Sequence, residues 1–222
     1  MLHTAAVVLW KDLSIELRTR DAMSAALVFS VLVLVIFNFA LDVNTPEMRR
    51  LGAGFFWVAF SFAGTLALNR SFALEKESGA GRALALAPVD PAGIYLGKFL
   101  ANWTFLLATQ IVVLPLFMIF FDVDLAASRL PALAASFALG SAGFAAVGTL
   151  FSAVASNTRM RELMLPLLFL PVAVPALIAA VETTSFALGG EQSASFWYRL
   201  LIVYDVVFVT ASLLVFEYAI EE

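Results

Sequence analysis

Asp205 is the one carboxylate set well inside an apolar run of this 222-residue chain, about four residues into its last such run. An acid at that depth can carry a proton or pair with a cation. Glu217 sits near the other end of the same run, at the interface. A proton relay normally uses several such groups in series, so a carrier resting on Asp205 stands beside a plainer reading, in which Asp205 pairs with Arg199 or a backbone dipole. The rest of the chain offers little chemistry. There are no cysteines, which excludes disulfides and thiolate metal sites. The single histidine, His3, reads as a surface or interfacial residue. No paired carboxylates, metal-ligand cluster or nucleophile–base pair falls inside an apolar run, and an intramembrane enzyme ranks last among the readings. Gly93-Ile-Tyr-Leu-Gly97-Lys98-Phe99 has the glycines and lysine of a phosphate loop in the wrong pattern. Three residues separate the glycines rather than four, and Phe99 stands where a magnesium-holding Ser or Thr belongs. Lys98 reads instead as an interfacial anchor. An active transporter built on this chain must draw its energy from a partner.

The elements around these residues are helices in lipid. Hydrophobic residues make up 62% of the chain and charged residues 14%, and the mean hydropathy is +0.95. No ordinary core hides that much apolar surface. Six continuous runs, Ala22–Leu41, Leu51–Asn69, Phe99–Phe121, Leu133–Ala155, Leu163–Val181 and Leu200–Tyr218, are each long enough to cross about 30 Å of hydrocarbon as a helix. The first run starts after Asp21 with no small-residue cleavage site behind it, so it reads as a retained span. With both termini cytoplasmic, nine Lys and Arg lie inside (Lys11, Arg18, Arg20, Arg70, Lys76, Arg82, Lys98, Arg159, Arg161) and four outside (Arg49, Arg50, Arg129, Arg199). The net charge of −4 gives no sign of nucleic-acid binding. Residues 1–21 read as an amphipathic interfacial helix, with Leu2, Ala5, Ala6, Leu9, Trp10, Leu13 and Leu17 on one face and Trp10 at headgroup depth. Pro166, Pro171 and Pro175 mark the fifth span as one that faces other helices, which would answer the freed carbonyls. Gly140, Gly143 and Gly148 suit close helix packing in the fourth. Residues 182–199 read as an outer loop or a shallow re-entrant hairpin.

The loop 70–98 carries the remaining information. Its charges come first, then glycines that permit a sharp bend, then a short apolar stretch that Pro88 ends. This predicts a helix–turn–helix on the cytoplasmic face. Glu75, Glu77, Gly79, Leu84 and Pro88 resemble, in order, the coupling motif of ABC-2-type permeases. In that class the region passes nucleotide-driven closure of the ATPase subunits to the membrane helices.

Four segments narrow the resemblance. Lys11–Arg20, Leu68–Glu75, Leu86–Asp90 with Ile94–Lys98, and Asn157–Glu162 followed by Leu165-Pro166 are similar, in the same order, to the cytochrome c maturation B-type permeases, the heme exporter protein B family. The resemblance spans the whole chain. It implies a single transmembrane permease domain over residues 1–222, all-α, with six transmembrane helices in an ABC-2-type fold and an N-terminal interfacial helix. It implies a multi-pass protein of the bacterial inner membrane, working as a homodimer with a separate ABC ATPase subunit that binds ATP and magnesium. A heme-handling membrane protein and a small accessory subunit complete the expected complex, which serves heme export or delivery to c-type cytochromes. Coupling is expected through Glu75–Pro88, with Arg159 and Arg161 as ATPase contacts and Pro166, Pro171, Pro175 and Asp205 as intramembrane functional candidates. Heme is expected as substrate, held mainly by a partner: His3 is badly placed for a ligand, and Met118, Met160 and Met164 suit packing better. Trp57, Trp103 and Trp197 suit packing or an interfacial belt. An ABC-2 permease for a lipid, polysaccharide or drug shares the coupling loop and stands as the first rival.

Overall fold

Backbone polar groups in hydrocarbon must be satisfied within their own segment, and this chain meets that demand with helices throughout. The computed structural model describes residues 1–40, 46–77, 90–156, 161–190 and 193–220, without the side chains of 46–50, 70–77, 161–164 and 219–220. The helices are α1 (Leu2–Thr19), α2 (Asp21–Ala40), α3 (Pro46–Glu77), α4 (Pro91–Phe120), α5 (Leu130–Ser156), α6 (Arg161–Ala187) and α7 (Ser195–Ile220), with a single 3-10 turn at Ala127–Arg129 before α5. No strand occurs among the described residues. Six of the helices are long and apolar enough to cross a membrane. They run alternately up and down, so the chain has a near end, which carries α1, and a far end.

The central helix is α5, which packs against α3, α4, α6 and α7. Its run from Gly140 to Thr149 is buried throughout. The glycines there let neighbours approach, as their spacing predicts. A Cβ on Gly140 would lie 2.5 Å from the Trp57 ring, and one on Gly148 would collide with Leu68 Cδ1. Aromatic side chains fill the gaps between helices, with Phe56 stacked on Phe137 at 5.0 Å and Phe144 edge-on to Phe169 at 4.6 Å. At the far end Trp57 Nε1 donates to Thr184 Oγ1 at 2.9 Å. The amide of Asn38 donates to the Phe120 carbonyl. Arg129 donates to the Phe186 carbonyl at 2.9 Å, which answers an orphan acceptor at the end of α6.

Several expectations change. The fifth span packs against α3, α5 and α7 as expected, but two of its prolines lie away from them. Its helix α6 is continuous, with Leu165, Phe169, Ala173, Ala176 and Ala180 buried, while Pro171 and Pro175 lie on the exposed face. Of residues 182–199, 182–187 prove to be the end of α6 and 195–199 the start of α7, with a turn at Gly189 (φ +114) between the two helices. Helix α1 forms as expected, but its packing face is Ala5 and Val8 against α4. The predicted apolar stripe lies beside that face, with Leu2, Trp10 and Leu17 exposed. This leaves α1 three-sided: one side on α4, one apolar side open to lipid, and a third carrying Lys11 and Arg18. Finally, α3 and α4 reach into the 70–98 loop from both ends, leaving residues 78–89 outside the described residues.

Candidate functional site

The near end is organised by a clasp between α1 and α4. Glycines at 93 and 97 fall one turn apart on α4 and open a groove that α1 fills. A Cβ on Gly97 would lie 2.6 Å from Val8 Cβ and 2.7 Å from the Ala5 carbonyl oxygen. One on Gly93 would lie 2.9 Å from the Met1 carbonyl oxygen. The sequence that imitated a phosphate loop is therefore a helix-packing face. Lys98, read as an interfacial anchor, is 0% exposed, and its Nζ lies 3.2 Å from Asp12 Oδ2. Asp12 also meets Lys11 at 3.1 Å. Asp90 caps α4 by accepting from the Ala92 amide at 3.0 Å, and its other oxygen lies 3.8 Å from the N-terminal ammonium. At the far end of α1, Glu16 accepts from the Met23 amide at 2.8 Å, which satisfies a free donor in the first turn of α2. Helix α1 thus ties the start of α2 to the start of α4.

Of the predicted coupling residues, Glu75 and Glu77 lie on the last turns of α3, and Arg161 is the first residue of α6; their side chains fall outside the described residues. Gly79, Leu84, Pro88 and Arg159 also lie outside them. What the structure brings together is their mounting. Helix α3 is unbroken from Pro46 to Glu77. Leu68, 1% exposed, fills the space over Gly148 on α5. From Leu68 to Glu77 the helix extends about 13 Å. The Glu75–Glu77 end of α3 is thus joined to α5 through the packed Leu68–Gly148 contact.

Mid-bundle, α5, α6 and α7 meet at Asp205. Its Oδ1 lies 2.6 Å from where a Cβ on Gly143 would stand, with the Tyr204 ring at 2.8 Å from the same point. The Tyr204 hydroxyl donates at 2.9 Å to the Val172 carbonyl, in the turn between Pro171 and Pro175. Pro175 lacks the amide that would meet the Pro171 carbonyl, and the tyrosine hydrogen bond lands one residue on, at Val172. No ion pair joins Asp205 to Arg199 among the described residues, so the pairing that explained Asp205 most plainly is not present.

Sequence reasoning missed the Asp12–Lys98 pair, although the four-residue glycine spacing pointed to a helix contact at that place. It also missed a polar seam between α4 and α5. There Asn102 donates to Thr149 at 2.9 Å, Trp103 Nε1 lies 3.1 Å from Ser141 Oγ, and the Tyr95 hydroxyl donates to the Ala146 carbonyl at 3.1 Å. One further α4 residue, Gln110, is 1% exposed with neither amide atom hydrogen-bonded.

A bundle of six apolar helices, a clasped near end and helix-mounted acidic residues define an all-α, multi-pass integral membrane protein. The family profile described as CcmB protein matches residues 3–221, and the chain belongs to that family. Relatives called heme exporter protein B include one from Rhodobacter capsulatus, 30% identical over 79% of this chain and 79% of its own length. The one from Paracoccus denitrificans is 30% identical over 83% of this chain and 84% of its own. The one from Pseudomonas aeruginosa is 27% identical over 87% and 86%.

Proposed function

We propose that this chain is the membrane permease subunit of an ABC transporter that exports or delivers heme for c-type cytochrome biogenesis. The observation that carries the reading is the family match over residues 3–221, with relatives named heme exporter protein B. The protein sits in the bacterial inner membrane with both termini cytoplasmic, which puts the near end, α1 and the Glu75–Pro88 segment on the ATP side. A separate ATPase subunit binds and hydrolyses ATP with magnesium; this chain is not an enzyme. The ATPase docks on Glu75, Glu77, Gly79, Leu84 and Pro88, with Arg159 and Arg161 as further contacts.

The mechanism uses mounted helices rather than reacting groups. Closure of the ATPase pair moves the acidic end of α3. Leu68 passes that movement to α5 at Gly148, and α5 passes it to α6 and α7 through the Ala180 and Tyr204 contacts. Helix α1 acts as a strap that keeps the start of α4 from yielding when the intervening segment is pushed. Two copies of the permease frame one pathway, and a heme-handling membrane protein and a small accessory subunit join them. Heme is substrate here, and its iron is held by a partner.

The test is affinity purification of the tagged chain from detergent-solubilised native membranes, with mass spectrometry of what accompanies it. An ABC ATPase with cytochrome c maturation proteins is the expected result. An ATPase with unrelated companions removes heme and leaves the permease, and the absence of any ATPase removes both.

A further inference from the structure

Asp205 is a titratable group that the mechanism does not use. It lies ten residues beyond Ser195, deep in the span Ser195–Tyr218. Its Oδ1 is enclosed within the bundle and has no hydrogen-bond partner. Helix α5 makes the room for it, since a Cβ on Gly143 would stand 2.6 Å from that oxygen. The hydroxyl of neighbouring Tyr204 is committed to the Val172 carbonyl of α6. No ion pair among the described residues includes Asp205. Helix α5 carries no titratable side chain at all from Leu130 to Ser156. On α6, Glu182 lies ten residues past Val172, about 15 Å along the helix, and Arg161 and Glu162 stand at the opposite end. On α7 itself, Arg199 and Glu217 are about 9 Å and about 18 Å away along the axis. The Tyr198 hydroxyl donates to the Ala132 carbonyl. Helix α4 brings Tyr95 against Phe216, eleven residues past Asp205, with Lys98 beside it.

We propose that Asp205 is a proton-binding site inside the membrane: its carboxyl is held as the neutral acid in the closed bundle, and the bound proton is what lets α7 seat against α5 at Gly143. A carboxylate enclosed at this depth would have neither water, a donor nor a counter-charge, and such a group neutralises rather than stay ionised. The neutral acid carries no net charge into the Gly143 notch, so the close approach of the two helices costs far less. Loss of the proton puts an unanswered charge into that notch and loosens the joint. This role differs from that of a proton carrier, because it needs no relay of further groups and no passage of the proton across the membrane.

The test is infrared spectroscopy of the purified full chain in lipid, wild type minus Asp205→Asn, at a series of pH values. A free aspartate, with a pKa of about 3.9, is fully ionised at about pH 7. The expected difference spectrum at about pH 7 shows instead the C=O stretch of a carboxylic acid, and carboxylate bands alone overturn the proposal. Thermal unfolding of the same two proteins reads the effect on the joint. The unfolded chain gives up this proton from about pH 4 upward while the folded chain keeps it, so stability falls with rising pH until the folded carboxyl ionises as well. The wild-type midpoint is therefore expected to drop by several degrees relative to Asp205→Asn between about pH 4 and alkaline pH. A difference that stays constant across that window overturns the proposal. If the asparagine variant does not fold, wild type carrying carbon-13 in its aspartate carboxyls decides. One carboxyl in the acid form at about pH 7 is then expected, and none overturns it.

Discussion

At the scale of single residues, the clearest energetic statement concerns Lys98. A fully enclosed ammonium stands 3.2 Å from Asp12, and removing that carboxylate takes a counter-charge from a cation that cannot reach water. Asp12→Leu is expected to destabilise the purified protein by about 3 kcal/mol, read as a lower midpoint of thermal unfolding in detergent. Asp12→Leu combined with Lys98→Met should recover much of that loss, because replacing both partners with apolar groups removes the enclosed charge. Gln110 predicts the opposite sign. Both of its amide atoms are buried without partners, so Gln110→Leu is expected to stabilise by about 1–2 kcal/mol in the same measurement. The sequence announced these residues unequally. Asp205 was conspicuous because it is the one acid inside a span. Lys98 looked like an interfacial anchor because a lysine at the start of an apolar run normally snorkels to water. Its true partner lies 86 positions away, beyond the reach of any local pattern. Gln110 is a single polar residue in a long apolar helix, and nothing local says which neighbours surround it.

At the scale of elements, the helices themselves were plain from the apolar runs, and their ends were not. Helix α3 runs past its last apolar turn to Glu77, and α4 begins at Pro91, well before the first continuous apolar residues. Hydropathy marks where lipid ends, whereas a helix stops where caps and turn residues stop it, as Asp90 does for α4 by binding the Ala92 amide. The prolines of α6 were a partial guide. The span packs on α3, α5 and α7 as they suggested, and Tyr204 of α7 donates to the Val172 carbonyl, while Pro171 and Pro175 themselves lie on the exposed side of a continuous helix. The fourth-span glycines were read correctly, because the need for close approach is written in residue size. The α1–α4 clasp should be the most sensitive joint. With Val8 Cβ only 2.6 Å from a Cβ at Gly97, Gly97→Ile is expected to unseat α1 while leaving the six spans inserted. Limited proteolysis at Lys11 and Arg18 would then be accelerated at least tenfold, with unchanged helix content by circular dichroism.

At the scale of the whole molecule, the proposed function makes the parts a transmission: acidic residues on an extended α3 would feel the partner, the Leu68–Gly148 joint would carry the movement to α5, and α1 would hold α4 steady. It also separates two kinds of damage: changes at Glu75 and Glu77 should spare the bundle, whereas changes at Gly148 should distort it. The most direct measurement is the amount of covalently bound heme in c-type cytochromes, read by heme staining of membrane proteins from a strain lacking this chain. The strain is complemented with wild type or with the double variant Glu75→Lys, Glu77→Lys. The account predicts loss of c-type cytochromes in the deletion, full recovery with wild type, and less than a tenth of recovery with the double variant despite normal membrane levels of the protein. Undiminished c-type cytochromes in the deletion strain would contradict it.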